Sequence, residues 1–156
     1  SMPLEIERKF LVKGNGWKTN NGKPYVQGYL NLDPKRTVRV RIAGGQAFLC
    51  VKGPTRKATR SEYEYKIPLD DAKALLKMCE GSLIQKIRHT VDYMGMKWEI
   101  DEFTGENAGL IIAEIELESE DQVFDKPPWL GSEVTDDPRY FNSSLATRPF
   151  GAWGKN

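Results

Sequence analysis

The sequence predicts an α+β fold in which about eight antiparallel strands close into a barrel with a charged interior, with helices packed outside it. Three observations predict it. Short segments along most of the chain alternate ionic with apolar residues, as strands with two unlike faces do. Gly44-Gly45 and Met94-Gly95 supply turn chemistry for two hairpins. Only two stretches carry helical spacing with start and stop signals, so most strands must be joined to one another.

The elements follow in order. LEIERKFLV, Leu4 to Val12, puts Glu5, Glu7 and Lys9 on one face and Ile6 and Phe10 on the other. Gly14 to Pro24 is rich in turn formers and reads as an irregular connection. Strands follow in YVQGYL (25–30), TVRVRIAGGQAFLCVKG (37–53), RSEYEYKIP (60–68), LIQKIRHTVDYMGMKWEIDEF (83–103) and IIAEIELES (111–119). PLDDAKALLKMCEG predicts a helix capped by Asp70 or Asp71, with Ala72, Leu75, Leu76 and Cys79 on its apolar side and Gly81 as its stop. DDPRYFNSSLATRP predicts a C-terminal helical segment at about 136–150, with Pro138 just inside its cap and Pro149 beyond its end. DKPPWLGSEV, between these helices, is too rich in proline for regular structure. The chain of 156 residues suits a single domain, 2–156, with Ser1 read as an expression remnant ahead of Met2.

Composition narrows the function. With 23 Lys plus Arg against 22 Asp plus Glu, the net charge of +1 argues against a general nucleic-acid binder, which needs a basic excess. No stretch is apolar enough to span a bilayer and no signal peptide is expected before the first strand, so a cytoplasmic protein is expected. One histidine and two isolated cysteines nearly exclude a zinc site. No Walker A motif is present.

The alternation of the first strand recurs. Arg39 and Arg41, Lys52, Glu62 and Glu64, Lys86 and Arg88, Asp101, and Glu114 and Glu116 all oppose apolar neighbours on their own strands. A solvated face mixes in Ser, Thr, Asn and Gln, whereas these positions are almost wholly ionic and grouped by sign. Helices need an apolar surface to cover, which leaves the ionic face for the inside of a barrel. Enclosing charge costs several kcal/mol per ion, on the order that neighbouring charges must restore, so a ligand is implied. Carboxylates without a His or Cys cluster suit a hard cation, Mg²⁺ or Mn²⁺, and the basic residues suit a polyanion. The pattern describes a cavity for a metal-bound polyphosphate.

In that pattern the chain resembles the CYTH, or triphosphate tunnel metalloenzyme, family, specifically its short bacterial inorganic triphosphatase-like branch. EIERK matches the family's N-terminal ExExK signature, and VRVR, VKG, EYEY, KIR, EIDEF and AEIEL follow in order over nearly the whole chain. The resemblance implies an eight-stranded tunnel, open at both ends, that binds a triphosphate group with divalent cations. Lys9, Arg39, Arg41, Lys52, Lys86 and Arg88 are then expected on phosphate oxygens, with Lys9, Lys52 and Lys86 counted in the catalytic set. Glu5, Glu7, Glu114 and Glu116 are the first candidates for a metal. Glu62, Glu64 and Asp101 are candidates for a second cation, or for positioning and deprotonating water. His89 is expected outward, Tyr29 as packing, Cys50 as an inward filler, and Trp129, Tyr140 and Trp153 as packing for the C-terminal segment. Arg139 is expected to help a C-terminal helix close one end.

The expected reaction is hydrolysis of inorganic tripolyphosphate to pyrophosphate and phosphate, a small-molecule substrate with no nucleic acid or membrane involved. The alternatives are a class IV-type adenylyl cyclase, then a thiamine triphosphatase, then a non-catalytic polyphosphate-binding module.

Overall fold

The computed structural model describes residues 4–154, so Ser1 and the extreme ends of the expected 2–156 domain lie outside the described residues. The strands are β1 (Leu4–Val12), β2 (Lys23–Asn31), β3 (Thr37–Ala43), β4 (Gln46–Lys52), β5 (Thr59–Ile67), β6 (Glu80–Tyr93), β7 (Met96–Thr104), β8 (Ile111–Glu116) and β9 (Leu130–Glu133). They lie in the order β5-β4-β3-β2-β6-β7-β8-β1-β9. Leu4–Ile6 of β1 also pair with Thr59–Ser61 of β5, which closes β1 to β8 into an antiparallel barrel and leaves β9 outside the ring. Both hairpin turns form where expected. Gly44 sits at φ +63°, and Met94 and Gly95 take φ +50° and +79°, the two left-handed residues of a type I′ turn.

DKPPWLGSEV departs from expectation, because Leu130–Glu133 adds to the far end of β1 as β9. Gly131 permits this approach: a Cβ there would lie 2.9 Å from the Leu11 carbonyl oxygen.

The first helix, α1 (Leu69–Leu76), is capped by Pro68 and not by an aspartate side chain. Asp70 and Asp71 fall in its first turn, at the positive end of the helix dipole. Cys79 lies beyond it, and Gly81 belongs to β6 rather than ending the helix. Ala72, fully buried, seats α1 against Val40 and Ala47 on the outer faces of β3 and β4. Burying each larger side chain of such a patch contributes about 1.5–3 kcal/mol.

Loops cover another part of the barrel's outside. Trp98 stands edge-on to Phe10 and Trp129, with ring centroids 5.8 and 5.6 Å apart. Trp129 therefore belongs to the outer core of β1, β7 and β8, not to the C-terminal segment. The connection from β1 to β2, 13–22, shorter than the expected Gly14–Pro24 because Lys23 and Pro24 join β2, folds down on buried Trp17, whose Nε1 donates to the Gly14 carbonyl at 2.7 Å. His89 points outward as expected, but it is sealed beneath this loop against the Trp17 ring, between Thr19 and Glu102.

The C-terminal segment determines the depth of the interior. It is a 3₁₀ turn, Pro138–Tyr140, followed by the short helix α2 (Asn142–Thr147), in place of one helix. Asp137 caps the turn by accepting from the Arg139 backbone N–H at 3.1 Å, with Pro138 just inside. Leu11, Ile84, Phe103 and Ile112 have inward parity toward one end of the barrel, and Tyr140, Leu145 and Ala146 pack among them. The segment fills that end, where the family resemblance implied an opening. Gly81, at φ +69°, lets it in, since a Cβ there would meet the Ala146 carbonyl oxygen at 2.5 Å.

Among the described residues, no helix is long and apolar enough to cross a membrane.

Candidate active site

Above this plug the barrel encloses a cavity of about 360 Å³. Every site residue singled out from the sequence lines it except Asp101. The period of two along each strand accomplishes this, because a closed barrel turns all the inward faces to one space.

The carboxylates gather on one side. Glu7 and Glu116 are cross-strand partners on β1 and β8, and with Glu5 they bring ligand oxygens within 4.8 Å of one another. Glu116 accepts the Ile6 backbone N–H at 2.9 Å. Burial, opposed by that bond and joined by the charges of Glu5, Glu7 and Glu62, pushes Glu116 up to about 7. Glu114 lies one step deeper, opposite Lys9 on β1 and Glu99 on β7, and burial with the nearby Glu7 raises it too. A second group joins Glu62, Glu64 and the buried Cys50 thiol, again within 4.8 Å.

Lys52 stands between the two groups. Its Nζ lies 3.0 Å from Glu5 and 3.0 Å from Glu62. Burial would lower Lys52, but Glu7, Glu5 and Glu62 outweigh it and hold the ammonium above its ordinary value. Glu5 rises through burial and its contact with Glu62, whereas Glu62, despite burial, is lowered by Glu5 and Lys52.

Asp101 is 1% exposed and spoken for. Its carboxylate accepts Lys86 Nζ at 2.7 Å and the Arg88 guanidinium at 2.8 and 2.9 Å. Burial works against its ionisation, yet the two cations hold it far below the usual carboxylate range. Asp101 thus lies behind the wall that Lys86 and Arg88 present to the cavity, where the family resemblance implied a ligand for a second cation or a group for positioning and deprotonating water.

Arg39 and Arg41 differ from these paired cations. Among the described residues neither has a carboxylate within ion-pair distance, and Arg39 Nε is buried with no hydrogen-bond partner. Arg41 Nε donates to Gln27 Oε1 at 3.2 Å, and burial with Arg39 and Arg88 nearby lowers Arg41 to about 10. The Tyr25 ring supports two guanidiniums, at 5.1 Å from Arg41 and 4.8 Å from Arg88.

Sequence reasoning missed Arg60, Lys97 and Glu99, which also line the cavity. The signal was present: Arg60 shares parity with Glu62 and Glu64, and Lys97 and Glu99 share it with Asp101. Tyr25 and Gln27, inward on β2, carry no charge themselves and so gave no ionic alternation to follow.

A closed barrel with clustered carboxylates on one inner side and, on the other, guanidiniums that no carboxylate among the described residues pairs defines a polyanion-binding barrel. The chain belongs to the CYTH family, whose domain model matches residues 3–149. It is 48% identical over 151 residues to an inorganic triphosphatase of Acetivibrio thermocellus, covering 96% of this chain and 97% of that one. An inorganic triphosphatase of Nitrosomonas europaea is 37% identical over 146 residues, 91% of this chain and 96% of that one. A crystal structure of an inorganic triphosphatase superposes with a TM-score of 0.67 at 37% identity, covering 91% of this chain and 93% of that one.

Proposed function

We propose that this chain is a hydrolase of phosphoanhydride bonds that splits inorganic tripolyphosphate into pyrophosphate and phosphate, with the 2–156 chain acting as one unit in the cytoplasm. Two relatives similar over almost their whole length carry the name inorganic triphosphatase, which supports this reading. The observation that carries it is Arg39: a buried, cavity-lining guanidinium with an orphaned Nε and, among the described residues, no carboxylate partner is a donor waiting for an anion.

The donor set fits a hard divalent cation. Glu5, Glu7 and Glu116 offer oxygen ligands only, within 4.8 Å of one another, a gathering of carboxylates that a hard cation would neutralise. These three would hold Mg²⁺ or Mn²⁺. A bound ion supplies charge neutralisation at phosphate oxygens and a lowered water pKa.

The chain's own residues do the rest. Lys9, Arg39, Arg41, Lys52 and Arg88 bind and align the phosphate oxygens, each charge-assisted bond contributing about 1.5–3 kcal/mol. The water oxygen attacks a terminal phosphorus, the P–O bond to the next phosphoryl unit breaks, and pyrophosphate leaves with the electron pair. Glu64 is the carboxylate for the water proton, because Glu62 is bound to Lys52 and Asp101 is sealed by Lys86 and Arg88. Asp101 and Lys86 therefore position Arg88 rather than touch water.

Replacing Glu116→Ala separates catalysis from binding. An enzyme loses tripolyphosphate hydrolysis while still binding the anion; unchanged hydrolysis would overturn the reading.

A further inference from the structure

A second pocket, of about 310 Å³, adjoins the cavity near the plugged end. The two share Thr37, Arg60, Phe141 and Ser143, so the cavity continues into it past these side chains. Its outer rim carries Lys35 from the β2–β3 loop and Lys57 from the β4–β5 loop, with Asp136 the one acid in its wall. Lys57 holds a left-handed φ of +56° at the tip of the tight Arg56–Thr59 turn, and with Pro54 and Thr55 it lines this pocket.

Arg60 stands at the junction. Its guanidinium is fixed by neutral acceptors, the Gly53 carbonyl at 3.2 Å and Thr37 Oγ1 at 3.4 Å. Among the described residues it has no carboxylate within ion-pair distance, unlike Lys52, Lys86 and Arg88. Its charge is thus oriented without being neutralised, as a guanidinium meant for an anion is. Among the described residues Lys35 extends this field with no acid paired to it, and Lys57 has only the carboxylate of Glu120 at 4.0 Å, itself at the surface.

We propose that this vestibule is a second phosphoryl-binding station, reached through Arg60 and rimmed by Lys35 and Lys57. It rests on the triphosphatase reading for the identity of its ligand. Two sources share the chemistry: a fourth unit of a longer linear polyphosphate whose first three units occupy the cavity, or the orthophosphate released on hydrolysis.

The test compares the wild type with the double variant Lys35→Ala, Lys57→Ala, both exposed loop positions outside the cavity. In the first arm, calorimetry with chelator present measures binding of linear tetrapolyphosphate and of tripolyphosphate. Surface charges of this kind predict an affinity loss of about fivefold for tetrapolyphosphate, with tripolyphosphate unchanged, if the station takes a fourth unit. In the second arm, inhibition of tripolyphosphate hydrolysis by orthophosphate weakens by about the same factor if the station takes the product. A double variant that moves neither readout, or weakens tripolyphosphate as much as tetrapolyphosphate, overturns the proposal. The calorimetric arm needs no turnover, so a wild type without triphosphatase activity would refute the hydrolase reading and still leave the station tested.

Discussion

Lys86 Nζ lies 2.7 Å from Asp101 Oδ2, with both side chains sealed from solvent. Arg88 shares the same carboxylate, so one acid fixes two cations on the cavity wall. Removing a single partner of a buried pair leaves uncompensated charge, which costs about 3–5 kcal/mol. Asp101→Asn is therefore expected to destabilise the fold by about that amount in urea unfolding. Because the Asp101 carboxyl is depressed in the folded state, its stabilisation holds above the ordinary carboxylate range and is lost on acidification.

Glu116 predicts a pH dependence of opposite sign. Its folded value, about 7, lies above the ordinary 4.5, so between these values the native state holds more protons than the unfolded one. Stability of the metal-free protein falls as pH rises through that window. Thermal scans from pH 4.5 to 7.5 should show the fall, and Glu116→Gln should flatten it. Added Mg²⁺ or Mn²⁺ should raise the melting temperature most at the high-pH end.

Arg39→Lys keeps the charge but loses the planar fork and the orphaned Nε. Steady-state assays should show kcat/KM reduced by about 10–100-fold, equivalent to about 1.4–2.7 kcal/mol. An unchanged value would mean that Arg39 meets no phosphate.

Tyr25→Leu removes the ring beneath Arg41 and Arg88, a contribution of about 0.5–2 kcal/mol. Activity should fall by about two- to thirtyfold, and Tyr25→Phe, which keeps the ring, should retain it.

The inner wall was legible because a period of two survives in any strand and a barrel must face one parity inward. Glu5, Glu7, Lys9 and the later charged pairs needed nothing more. Partnership between strands was not legible: Asp101 looks like Glu114 in sequence, and only the β6–β7 register brings it under Arg88. Arg60 carried the parity of Glu62 and Glu64, and Lys97 and Glu99 that of Asp101, but each lay outside the charges recognised on its strand. The burial of Trp17 and His89, and the four residues of β9, depend on contacts with distant strands that turn-rich composition conceals. Pro68 took the cap of α1 because the strand before it ends at Ile67, leaving no room for an aspartate.

Phosphate release from inorganic tripolyphosphate, with Mg²⁺, Mn²⁺ or chelator and with ATP in parallel, addresses the proposed reaction most directly. Fast release that depends on the metal and exceeds that from ATP is the predicted result. No release from tripolyphosphate with either metal would contradict it.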